Sequence, residues 1–352
     1  MRQKLGVVLG ILVILAVAVA GYKSYLEKQA AQVAGQSGSQ NPGFFQSLAK
    51  TALPQGQTVR LLTGSAKFNF LKDPVLTDIL RKEGISLELV KSESFEQDQA
   101  KLPELDAVWP AGANVVADWV ALAPGAGTYP VFFTPLALAS WKTLMPVFEK
   151  NGLAKMSGPI HGDFYLEKAL PLMLKGTRWN QLQENNVFNV NKSFLVNTPD
   201  LRKSNAGTLF IATLAYIQNG NEVVQDSAKA AAITETLATL ITRQGFLEST
   251  LTGPFEDYIG QGMGKAPLVL IYESQFIEAK RAGKLRDTHL LLYPQPGLVV
   301  KHILVAKSPI GKKLGELLAN NAEIQKIAAQ YGFRTNAHAV FATETKTLGL
   351  DA

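Results

Sequence analysis

The sequence predicts an α/β protein of two lobes, the first assembled from two separate stretches of chain, preceded by one N-terminal transmembrane helix. Three observations lead there. From residue 58 onward, strand-like and helix-like segments alternate. Two long apolar segments, "TYPVFFTPLALASWKTL" (128–144) and "LLLYPQPGLVVKHILVAKSP" (290–309), carry prolines that exclude helix. They flank an insert of about 150 residues with strands and helices of its own, a full domain's worth. At 352 residues, the chain also exceeds one ordinary core. A chain that leaves one lobe, builds a second and returns has this layout. The expected boundaries are 58–136 and 297–352 for the first lobe and 137–296 for the second. The groove between lobes is then the natural ligand site.

The chain opens with "MRQKLGVVLGILVILAVAVAGYKSY", where Arg2 and Lys4 precede an apolar run from Leu5 to Gly21. The run is just long enough to span a hydrocarbon core of about 30 Å. "AVA" at Ala18–Ala20 fits a signal-peptidase site. The length of the run favours an uncleaved anchor, with Tyr22 and Tyr25 at the interface. Residues 1–25 are thus a membrane anchor or signal, and the leading basic residues keep the N-terminus cytoplasmic. Residues 26–57, which contain "GQSGSQNPG", read as a flexible linker. Together they place the folded part on the extracytoplasmic side of a cell membrane, held by a single pass.

The folded part begins with a strand at Val59–Leu62. "DPVLTDILRKEG" follows, with Asp73 as N-cap, Pro74 at the first helical position, an apolar face of Val75, Ile79 and Leu80, and Gly84 as stop. "ISLELVKSES" alternates as a strand. "LDAVWPAG" is a short buried strand and "NVVADWVAL" a helix, the start of a mostly parallel sheet. Past the first long segment, "SFLVNT" reads as a strand. "SNAGTLFIATLAYIQNG" and "SAKAAAITETLATLITRQG" are helices, "APLVLIYES" is a buried strand and "SQFIEAKRAG" a helix. Two more helices, "GKKLGELLAN" and "AEIQKIAAQYGF", come near the end.

Composition narrows the function. A net charge of +6, with acidic residues throughout, gives no nucleic-acid footprint. The absence of cysteine excludes disulfides, thiol catalysis and cysteine-held metals. The four histidines are scattered, so no metal or other cofactor is expected. "GQGMGK" (260–265) lacks the spacing of a phosphate loop, and Ala266 stands where a hydroxyl is needed. No acid/base pair or nucleophile arrangement points to an enzyme.

Three turns carry candidate ligand contacts. In "TGSAK", Gly64, Ser65 and Ala66 let backbone N–H groups face a ligand after a strand. In "SNAGT", Ser204, Asn205, Ala206 and Gly207 open a helix whose first N–H groups suit an anion or carboxylate. In "VWPAG", Trp109 ends a strand where it can stack on a ligand, and Pro110 starts a turn.

The closing segment, "ELLANNAEIQKIAAQYGFR" with Gln325 and Gly332-Phe333, resembles the end of periplasmic type II solute-binding proteins of ABC transporters. "TPLALASWK" is similar to that family's outward crossing, "APLVLIYES" to one of its strands, and "TGSA" sits where the family has its first ligand-binding turn. The resemblance covers the order of elements over about residues 58–340. It implies a periplasmic-binding-protein-like type II fold, a small-molecule ligand between the lobes and a membrane permease as partner. It also implies ligand contacts from Thr134, Tyr272 and Glu273. An anchor departs from the free periplasmic members. It leaves a second reading, a ligand-free envelope sensor or assembly protein that docks a membrane partner.

Overall fold

In the computed structural model, which describes residues 56–92, 98–245 and 247–350, Gln57–Thr63 (β1) lies in register between two parallel neighbours, Ile85–Lys91 (β2) and Ala107–Trp109 (β3). The expected anchor and nearly all of the expected linker lie outside the described residues. Among the described residues, no helix is long and apolar enough to cross a membrane. The helix between β1 and β2, Pro74–Lys82 (α1), starts as its sequence dictates. Asp73 Oδ1 accepts from the N–H groups of Val75 (2.8 Å) and Leu76 (3.1 Å), and Gly84 ends the segment at φ +73°. Its buried face is Leu76 and Leu80, while Val75, expected there, is 60% exposed. Val116–Leu122 (α2) follows β3.

The first long extended segment is one strand, Gly127–Trp141 (β4). It changes neighbours midway. Residues 127–135 pair with Val299–Ala306 (β9), and residues 136–141 pair with Val269–Tyr272 (β7) on one side and His289–Gln295 (β8) on the other. The second long segment is the pair β8 and β9, separated by a cis Gln295–Pro296 bond. The first half-sheet therefore runs β2-β1-β3-β9-β4. The second continues from β4 through β8 to His161–Tyr165 (β6) and Ala154–Met156 (β5). Among the described strands, only β1 with β2 and β3, and β6 with β8, run parallel, so the sheet is mixed rather than mostly parallel. The long crossing strands run antiparallel to their neighbours and set that balance.

The insert holds Met145–Lys150 (α3), Leu166–Lys175 (α4), Asn205–Gln218 (α5), Ser227–Thr242 (α6), Thr252–Gln261 (α7) and Glu273–Arg281 (α8). "SFLVNT" is not a strand of the sheet. It touches the sheet only at the single bridge Asn197–Val269, and Phe194 and Val196 bury their side chains in the second core. The chain closes with Pro309–Asn320 (α9), Ala322–Gln330 (α10) and His338–Thr347 (α11). Both α9 and α10 have side-chain caps, Ser308 Oγ to the Gly311 N–H at 3.1 Å and Asn321 Oδ1 to the Glu323 N–H at 3.0 Å.

Each half-sheet has its own core. Val59, Leu61, Phe70, Leu304 and Phe333 belong to the first, and Leu138, Phe148, Phe164, Phe210 and Leu292 to the second. The C-terminal residues part company with the first lobe, to which 297–352 was expected to belong. Phe341 and Leu350 pack with Ala139, Tyr258, Ile271 and Phe276. The apolar side chains of α11 find their burial against the second half.

Candidate functional site: a cleft between the half-sheets

Because β1, β2 and β3 are parallel, their carboxyl ends open on one edge, where ligands bind in open α/β sheets. The turns leaving them, with the start of α5 and the loop before α7 opposite, enclose a cleft of about 380 Å³. From the first half come Gly64, Ser65, Ala66, Lys67, Pro110 and Asn114. From the second come Ser204, Asn205, Ala206, Thr208, Thr250 and Tyr272.

Side chains meet across it. Asn205 donates Nδ2 to the carbonyl of Ala111, and Asn114 donates Nδ2 to Asn205 Oδ1 at 3.0 Å. Ser65 Oγ lies 3.4 Å from Thr252 Oγ1. Gly112 makes the approach possible. It sits at φ +109°, and a Cβ there would overlap Asn205 Nδ2 and Asn114 Oδ1.

Charge in the cleft is uneven. The carboxylate of Asp98 accepts from Ser92 Oγ (2.6 Å) and Lys101 Nζ (3.3 Å). Arg202 is held by Asp200 at 2.6 Å. Lys67 is different: it is 1% exposed, and its Nζ lies 3.2 Å from His302 Nδ1 and 5.5 Å from the Trp109 ring centroid. Burial pushes the Lys67 ammonium down to about 7. Burial, then the charge of Lys67, holds His302 well below the usual imidazole range, so its ring is neutral. At the opposite wall, Ser204 makes no side-chain cap, which leaves the first turn of α5 without one.

The structure brings eight of the sequence-derived candidates to this cleft: Gly64, Ser65, Ala66, Pro110, Ser204, Asn205, Ala206 and Tyr272. It places four elsewhere. Trp109 is fully buried, edge-on to Phe70 and tilted against Phe132. β3 lies between β1 and β9, and alternation along it sends Trp109 into the first core while Val108 joins the opposite face. Thr134 is buried on β4, where its Oγ1 accepts from the Ser274 N–H at 3.2 Å at the start of α8. Glu273 is fully buried, and its carboxylate accepts from Arg334 and Tyr293. Gly207 lies against its own loop, where a Cβ would press on Leu201 and the Pro199 carbonyl.

Sequence reasoning did not pick out Lys67, Asn114 or Thr252. Lys67 stands in the quoted turn "TGSAK", but a lone lysine reads as solvated, and only tertiary packing buries it. Asn114 follows Gly112 by two residues; a glycine that frees the backbone next to a short amide was the available signal.

No protein-family model and no curated protein sequence matches the chain. Solved structures do. A Listeria monocytogenes protein assigned to a spermidine/putrescine ABC transporter aligns at TM-score 0.54 with 14% identity, over 84% of this chain and 89% of its own. The sulfate-binding protein SubI from Mycobacterium tuberculosis aligns at 0.51 with 14% identity, over 83% and 91%. A periplasmic thiamin binding protein aligns at 0.51 with 12% identity, over 80% and 85%. The chain has the mixed α/β fold of two-lobed, type II periplasmic solute-binding proteins.

Proposed function

We propose that the chain is an extracytoplasmic solute-binding protein that captures a small molecule in the cleft and closes its lobes around it. The reading takes 58–136 with the returning chain from 297 as one lobe and 137–296 as the other. The observation that carries it is the pairing of Asn205 with Asn114 and Ala111 across a cleft at the strand carboxyl ends. Each lobe supplies one side of the contact, so it can form only when the lobes are together. A ligand that bridged the same walls would shift an open–closed equilibrium. The site offers hydroxyls, amides and backbone groups rather than an acid/base pair, which suits binding rather than turnover.

The N-terminal run, as anchor, would hold this domain beside a membrane permease of an ABC transporter. The fold alone does not choose the ligand, since the aligned proteins take a polyamine, sulfate and thiamin.

Native mass spectrometry of the full chain isolated directly from cells tests the reading. A small molecule retained by the wild type and lost from Asn205→Ala is the expected result. No retained mass, with no thermal shift from sugars, amino acids, anions or polyamines, would leave the docking of an envelope partner as the better account. Fractionation and N-terminal sequencing of the same sample test the anchor.

A further inference from the structure

We propose that the ligand of this cleft is a small anion, an inorganic oxyanion or a carboxylate, whose charge is met from beneath by Lys67. The inference rests on the solute-binding reading and names its ligand class. A lysine with 1% of its surface exposed is a rare placement for a charged group. Burial is the cause that acts on its charge, and no carboxylate among the described residues offsets it. Its hydrogen-bond neighbour is a neutral histidine, and its other close neighbour is the face of an indole. A structural ion pair would need an acid here; among the described residues no acid pairs with Lys67, and Asp98, which lines the cleft, is engaged by Lys101.

The surroundings are short of acceptors as well. Among the described residues, Trp109 Nε1 and His302 Nε2 are buried with no hydrogen-bond partner. Facing Lys67 across the cleft, the uncapped first turn of α5 adds the partial positive charge of a 14-residue helix. Lys67 stands on one wall of the cleft and the positive end of α5 on the other. An anion supplies what both lack, and a polyamine would meet two positive walls.

The test is thermal shift and calorimetric titration of the full chain in detergent at pH 6.5 and constant ionic strength. The probes are sodium sulfate, phosphate, acetate and lactate, against spermidine, thiamin and maltose. At least one anion is expected to stabilise the wild type saturably, and Lys67→Met to weaken it at least tenfold while still melting cooperatively. Sulfate or phosphate alone would identify an oxyanion site, and acetate or lactate alone a carboxylate site. Binding of spermidine, thiamin or maltose without any anion would overturn the inference and leave the solute-binding reading standing. Anion binding that Lys67→Met retains would also overturn it. Silence from every probe, with lobes that scatter alike in the wild type and Asn205→Ala, would sink both.

Discussion

Arg334 grips both carboxylate oxygens of Glu273, Nε to Oε2 at 2.8 Å and Nη2 to Oε1 at 2.7 Å, with Tyr293 donating to Oε1 at 2.6 Å. The pair ties the start of α8 to the segment after α10, next to the backbone bridge between Arg334 and Phe133 on β4. It therefore acts on the crossing region and not on the cleft. Glu273→Gln leaves the guanidinium without its counter-charge and should destabilise the fold by about 3–5 kcal/mol. Replacing both residues with apolar side chains should cost less than either single change. Urea midpoints of the three variants decide it; a Glu273→Gln loss under about 1 kcal/mol would show that solvent already screens the pair.

Lys67 makes stability depend on pH, with a definite sign. Its folded value, about 7, lies below its ordinary value of 10.5. Below pH 7 both folded and unfolded chains hold the proton, and the cost of the buried charge is fully present. Between 7 and 10.5 the unfolded chain holds a proton that the folded chain has lost, so stability should rise with pH. The total is on the order of a few kcal/mol. Denaturation from pH 6 to 9 should show this climb in the wild type and a flatter profile in Lys67→Met. A stabilising anion should bind more weakly as pH rises past 7.

Removing the amide at Asn114 takes its two hydrogen bonds with Asn205 from the closed form and leaves both cores intact. Asn114→Ala should shift the open–closed balance by about 1 kcal/mol, roughly fivefold. The unfolding midpoint should hardly move. A pair of spin labels, one on each lobe, should report the longer distance more often in the variant. An unchanged distance distribution would show that the amide bridge does not hold the lobes.

Gly112→Ala attacks the same contact from the backbone. The residue sits at φ +109°, and an added methyl would overlap the Asn205 amide. Reduced stability and a more open average are both expected. Adding Asn205→Ala should relieve the overlap but not the backbone strain, so only part of the loss should return.

Much of the scaffold was legible because local chemistry and tertiary structure agree. Asp73, Pro74 and Gly84 bracket α1, and the prolines at 130 and 135 keep the first crossing extended. The turns at 64–66 and 204–206 were legible as openings after a strand and before a helix. The remainder depended on contacts far apart in sequence. "SFLVNT" has strand composition, but it meets β7 at a single bridge and extends it into no ladder. Glu273 looks like a ligand residue until Arg334, 61 positions later, arrives beside it. Trp109 and Lys67 exchange their expected environments for the same reason. The strand end turns the aromatic inward, and the core of the first half closes over the lysine's stem.

The place of β9 has a bearing on how the chain is made. β3 and β4 follow one another in sequence, yet in the sheet β9 fills the slot between them. During synthesis from the N-terminus, the opening half of the molecule must wait for almost the whole chain before that slot is filled. Until then, two raw strand borders face each other across a gap one strand wide, open to pairing with a stranger. A truncation before residue 299 should thus yield an aggregating fragment rather than a working lobe. The last sixth of the chain acts as the keystone of its beginning.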